Sequence, residues 1–114
     1  MIRFTPVAFA LALGFSMATA AQADEVTKED YCAETAKVVG AIQQARLDRV
    51  DERDVREAIL ASDPEWPDNY DNAIVQLAPW VYQQKRRDLR KNDLSAVWSE
   101  QCLANWDAFK DSLN

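Results

Sequence analysis

Cys32 and Cys102 are the two cysteines of this chain, and each falls inside an apolar stripe repeating at helical spacing. From Thr27 the apolar or small positions Tyr31, Cys32, Thr35, Ala36, Val38, Val39, Ile42 and Ala45 form one broad face, the pattern of an amphipathic helix. Near the other end, Leu94, Trp98, Cys102, Trp106, Phe109 and Leu113 step by four, four, four, three and four residues, a second helical seam. Both thiols therefore point inward. A bond between them pins the first helix to the last and closes a bundle.

Whether that bond forms depends on the compartment. Residues 1–23 read MIRFTPVAFALALGFSMATAAQA. Arg3 supplies a positive start, Val7 to Ala18 is nearly all apolar, and Ala21-Gln22-Ala23 ends the run with an A-x-A pattern. This is the signature of a secretory signal peptide, with cleavage expected after Ala23 and Ala20 as the alternative. The apolar run is shorter than the ~20 residues that cross a bilayer, so no membrane span is expected after cleavage. No cysteine lies near the cleavage site and no Arg-Arg pair precedes the run, which leaves lipoprotein anchoring and the twin-arginine route unsupported. Residues 24–114 are then expected to form one periplasmic or secreted domain. An even cysteine pair in an oxidising compartment most often makes one disulfide. Closing a loop of about 71 residues stabilises a fold by roughly 4 kcal/mol on the chain-entropy account, a large share of the total for so small a domain. A redox pair is the competing reading, but catalytic dithiols usually stand as C-x-x-C at a helix N-terminus.

Past residue 23 the chain has one glycine, Gly40, and three prolines, Pro64, Pro67 and Pro79. Scarce turn glycines and few alternating runs argue against β structure. The expected fold is all-α, a small three- to four-helix bundle with helices over about 28–47, 52–61, 69–91 and 94–111. Thr27 is the natural N-cap of the first, with Asp30 three residues on and Val26 packing against Tyr31. Asp51 opens the second, with Asp54 at its third position, Val50 facing Val55, and a short stripe of Val55, Ala58, Ile59 and Ser62. Pro64 and Pro67 force the chain out of the helix. Asp68 then caps the third, whose stripe is Tyr70, Ala73, Ile74, Leu77 and Val81. Pro79 removes the bond from position 79 to the Val75 carbonyl, so a kink or break is expected there.

Composition removes several kinds of chemistry. The chain has no histidine, which excludes Ser-His-Asp triads, Cys-His dyads and histidine-ligated metals or haem. Two cysteines are too few for a cysteine zinc site. No Gly-rich phosphate loop, Ser-x-x-Lys or G-x-S-x-G occurs. Carboxylate pairs such as Asp51 with Asp54, or Glu52 with Asp88, are abundant, but nothing gives one of them an apolar pocket. Asp63, Glu65, Asp68 and Asp71 offer four carboxylates within nine residues, without the EF-hand spacing that calcium would use. No enzymatic activity, cofactor or metal is expected. The net charge is −6; with Arg3 in the leader, 12 of the 13 basic and all 19 acidic side chains follow it. That balance argues against nucleic acid as a partner.

Three features carry a functional reading beside an ordinary one. Lys85, Arg86, Arg87, Arg90 and Lys91 put five cations into seven residues. They read either as a docking patch for phosphate, lipid headgroups or an acidic partner, or as charges closing the third helix against its dipole. Trp66, between two prolines, is either an exposed anchor for a partner or a plug for the end of the bundle. Trp80 and Tyr82, just past Pro79, either line a ligand cleft or pack into the core.

In overall plan, with a signal peptide, helical stripes and a presumed long-range bridge between Cys32 and Cys102, the chain resembles the small periplasmic acid-stress chaperones of the HdeA kind. The resemblance is one of architecture and assigns no functional residue. It implies that acid, by discharging carboxylates, loosens the bundle and exposes the tryptophan-rich seam to clients. The expected function is thus a small exported, non-enzymatic binding protein, stress- or chaperone-like, whose partner is another protein. The alternatives are an inhibitor or immunity-type protein for a secreted enzyme, and a small-ligand carrier. The sequence sets no oligomeric state.

Overall fold

The computed structural model describes residues 27–110; the 1–23 leader, Val26 and Leu113 lie outside them. Every regular element among the described residues is helical. α1 spans Lys28–Leu47, α2 Val55–Ala61, α3 Asn72–Tyr82, α4 Arg86–Leu89, α5 Leu94–Ala104 and α6 Trp106–Phe109. Short 3-10 turns at Glu52–Asp54 and Asp68–Tyr70 lead into α2 and α3.

α1 is the hub, packed along α5 and α3 and touched by α2 and α4. This is why its stripe is so broad: Cys32, Thr35, Ala36, Val38, Val39, Ile42 and Ala45 are all buried because the helix has neighbours on several sides. At its start the Asp30 amide donates to Thr27 Oγ1 at 3.1 Å, satisfying one of the orphan donors of the first turn. Its end is a Schellman motif, in which the Val50 amide donates to the Ala45 carbonyl and the Arg49 amide to the Arg46 carbonyl. The motif needs a left-handed residue, and Arg49 supplies it at φ 65° where glycine is usual.

The disulfide Cys32–Cys102 joins α1 to α5 with its Cα atoms 5.7 Å apart. Gln43 on α1 meets Leu94 at the start of α5, so the two helices run antiparallel. Tyr31 against Tyr70, and Val50 against Tyr82, set α3 in the same direction as α1. Val38, Val39 and Ile42 of α1, Val55 and Ile59 of α2, Ile74 and Val81 of α3, and Leu89 and Leu94 fill the shared core.

Four boundaries differ from the sequence expectation. Asp51 makes no capping bond; its carbonyl instead accepts the Asp54 amide in a 3-10 turn, which delays α2 to Val55. Asp68 does not cap the third helix, because Pro67 opens a 3-10 turn there and α3 begins at Asn72. α3 runs through Pro79 to Tyr82. The carbonyl that Pro79 leaves unserved belongs to Val75, whose residue is 58 % exposed, so that side of the helix lies against solvent. The break falls instead at Lys85, whose backbone is extended. Finally, α5 stops at Ala104, where Asn105 leaves helical geometry and its Nδ2 donates to the Gln101 carbonyl at 2.9 Å. The chain then re-enters a helix that brings the Trp106 ring to 5.5 Å from Tyr31.

The other proline segment closes by substitution. A Schellman ending on α2 would need an amide at position 64, which Pro64 lacks. The Ser62 hydroxyl donates to the Ile59 carbonyl at 2.6 Å in its place, and Asp63 takes the left-handed conformation at φ 54°.

Candidate functional site

The cationic run does not close the third helix, which has no basic residue in its last turn. Lys85, Arg86, Arg87, Arg90 and Lys91 lie instead on and around α4, a separate turn between α3 and α5. Leu89 is its one buried side chain and roots the turn in the core. Gln43 then fixes it from α1. Its Nε2 donates to the carbonyls of Leu89 and Asn92, both at 2.7 Å, and its Oε1 accepts the Leu94 amide at 3.0 Å. One side chain thereby serves a carbonyl at the end of α4 and an amide in the first turn of α5, groups that helices cannot satisfy internally. Asp93 caps α5 in addition, accepting the Ser95 amide at 3.0 Å.

With Leu89 inward, helical spacing sets Arg87 and Lys91 on the opposite face, and Arg86 with Arg90 beside them. Lys85, Arg87, Arg90 and Lys91 are exposed and Arg86 is half-buried. Among the described residues, the one carboxylate within ion-pair distance of these five is Asp88, 3.9 Å from Arg87 Nε. The result is a small, firmly held knob of positive charge. Sequence reasoning found its cations but missed Gln43, whose only signal was a polar residue beside the stripe position Ile42.

Trp66 is not an exposed anchor. It is 6 % exposed and packs in the core, and its indole Nε1 donates to Asp71 Oδ1 at 2.9 Å. This bond also shows where the Asp71 carboxylate is engaged at the entry to α3.

Neither Trp80 nor Tyr82 lines the grooves described below. Trp80 lies against Trp98 with ring centroids 6.0 Å apart. The Tyr82 hydroxyl donates to the Val50 carbonyl at 2.6 Å, and the Arg46 guanidinium lies 5.3 Å from the ring centroid. Arg46 Nη2 also donates to the Gln84 carbonyl at 3.4 Å, so these residues tie the ends of α1 and α3 together. Burial raises the Tyr82 pKa above its ordinary value, and Arg46 partly opposes it. An open groove of about 350 Å³ does run beside Pro79, but Glu52, Arg53, Val55, Arg56, Val75 and Ala78 make its other walls. A second, of about 240 Å³, lies beside Tyr31 and Tyr70.

The two half-cystines are buried, Cys32 at 1 % and Cys102 at 0 % exposure, which suits a structural bridge better than a bond that exchanges. Among the described residues, no group of three or more Asp, Glu, Cys or His is placed to hold a metal ion. No described helix is long and apolar enough to cross a membrane. No family model, curated protein or solved structure matches the chain.

Proposed function

We propose that this chain is an exported, non-enzymatic binding protein of the acid-stress chaperone kind, which offers apolar surface to client proteins when acid loosens its bundle. The observation that carries the reading is the seat of Trp66: a core aromatic held by a carboxylate, Asp71. A hydrogen bond to a charged acceptor is about twice as strong as one between neutral groups, so the seat of this core aromatic leans on a carboxylate's charge. A second carboxylate, Asp93, caps α5. The Cys32–Cys102 bond keeps α1 and α5 tethered while the rest opens, so release and recovery stay intramolecular. Export itself rests on the signal-peptide pattern of residues 1–23 and is consistent with the disulfide.

The test is an apolar-surface dye together with aggregation of an acid-denatured client. At about pH 2–3 and physiological salt, dye emission should rise and client turbidity should fall, both returning at neutral pH. A dye response as flat in acid as at neutrality sinks the reading.

A second reading, a module that binds its partner while fully folded, is favoured by the Gln43-held α4 turn. It has the character of an inhibitor or immunity-type protein. For the carrier reading, Trp80 lies against Trp98 and the Tyr82 hydroxyl is bonded to the Val50 carbonyl.

A further inference from the structure

We infer that the α4 turn is a docking knob for a carboxylate-rich segment of a partner protein. The inference rests on the reading that the chain acts by binding, and is independent of acid release. Three observations combine. The knob is pre-organised, because Leu89 and the two carbonyls bonded by Gln43 fix its backbone before any partner arrives. Its cations are largely unspent, with Asp88 the one described carboxylate in reach. The charge is also segregated: residues 85–91 hold five cations and one carboxylate, leaving eight basic against eighteen acidic side chains elsewhere.

The chemistry of the cations narrows the partner. Three of the five are arginines, whose planar fork pairs with a carboxylate or a phosphate through two parallel bonds, so the partner is an oxyanion. An anionic membrane is the rival surface for such a patch. A plane of lipid charge repels whatever part of the acidic remainder comes within about 8 Å of it, the screening length at physiological salt. A membrane site also gains from an apolar side chain to insert. Among the described residues, the exposed large hydrophobics Val75 and Leu103 belong to α3 and α5 and not to this turn. An acidic peptide segment is narrow enough to meet the knob alone.

The experiment titrates the disulfide-bonded protein at neutral pH with a fluorescein-labelled oligoglutamate peptide, and in parallel with phosphatidylglycerol vesicles. Binding to the peptide is expected at low salt and should weaken steadily as salt is added. The double variant Arg87→Glu, Lys91→Glu should lose about tenfold or more in affinity. A control of equal charge change, Lys28→Glu with Arg56→Glu on α1 and α2, should stay within about twofold. All four side chains are away from the core, and far-ultraviolet dichroism checks that each variant is folded. Equal losses in both double variants would reduce the effect to net charge and overturn the assignment. Failure to bind the peptide, or tighter capture by the vesicles, would overturn it as well. A failed dye response in acid leaves this result standing, so the two proposals fall separately.

Discussion

The Trp98 indole on α5 donates to the Thr35 hydroxyl on α1 at 2.7 Å, close to the disulfide that joins the same two helices. Thr35 is nearly inaccessible, and its own proton goes to the Tyr31 carbonyl at 2.6 Å, which leaves the oxygen free to accept. A polar position inside an apolar stripe thus fixes how the first and last long helices face each other. Thr35→Val keeps the shape and removes this acceptor. It should cost about 1–2 kcal/mol, read as a lower urea midpoint with an unchanged slope.

Gln43 makes three bonds across to the α4 and α5 segments. Gln43→Leu should destabilise the fold by about 2–3 kcal/mol, since each bond is worth about 1 kcal/mol. Limited proteolysis should show new cleavage within 85–92, because the turn would lose its tether to α1. A variant as resistant as the parent would remove the tethering role.

Gly40 sits inside α1, where a glycine weakens the helix by about 0.5–1 kcal/mol relative to alanine. A Cβ built there would meet Ser95 Cβ at 3.6 Å, an ordinary contact. Gly40→Ala should therefore raise the thermal midpoint, by the equivalent of about 0.5–1 kcal/mol. A fall would show that α1 and α5 are closer than this spacing allows.

Burial raises the pKa of Tyr31, Tyr70 and Tyr82 above the usual 10.0, and for Tyr70 the nearby Glu34 and Asp30 add to it. The folded state then holds these protons more tightly than the unfolded chain. Their contribution is complete below pH 10.0 and is lost as pH climbs through the folded values. Urea midpoints should hold steady through mildly alkaline pH and decline above about pH 10. Tyr82→Phe should reduce that slope and lower the plateau by about 1 kcal/mol for the lost bond to Val50. A decline equally steep in the variant would exclude Tyr82 as a contributor.

The helical stripes were legible because burial leaves a periodic trace. The spacing of Cys32, Val38, Val39 and Ile42 marks the inner face of α1, and that of Leu94 and Cys102 the inner face of α5, and all six are buried. Thr27 was legible as a cap because its oxygen and the Asp30 amide are three residues apart. What misled was local chemistry in competition. Asp51 and Asp68 have the composition of caps, but 3-10 turns used the backbone first, and it was Asp71, not Asp68, that took up the Trp66 indole five residues back. Pro79 reads as a breaker, and was tolerated because its orphaned carbonyl is on the solvent side.

The amino-acid order alone settled the helical class, the inward direction of both sulfurs and the existence of a cationic run, since each depends on spacings of a few residues. Only the tertiary structure decided that Trp66 is buried, that the cations stand on a turn of their own, and that Gln43 holds that turn. The Gln43 bonds join groups 46 to 51 positions apart in the chain, and a side chain carries no mark of the carbonyl it will reach.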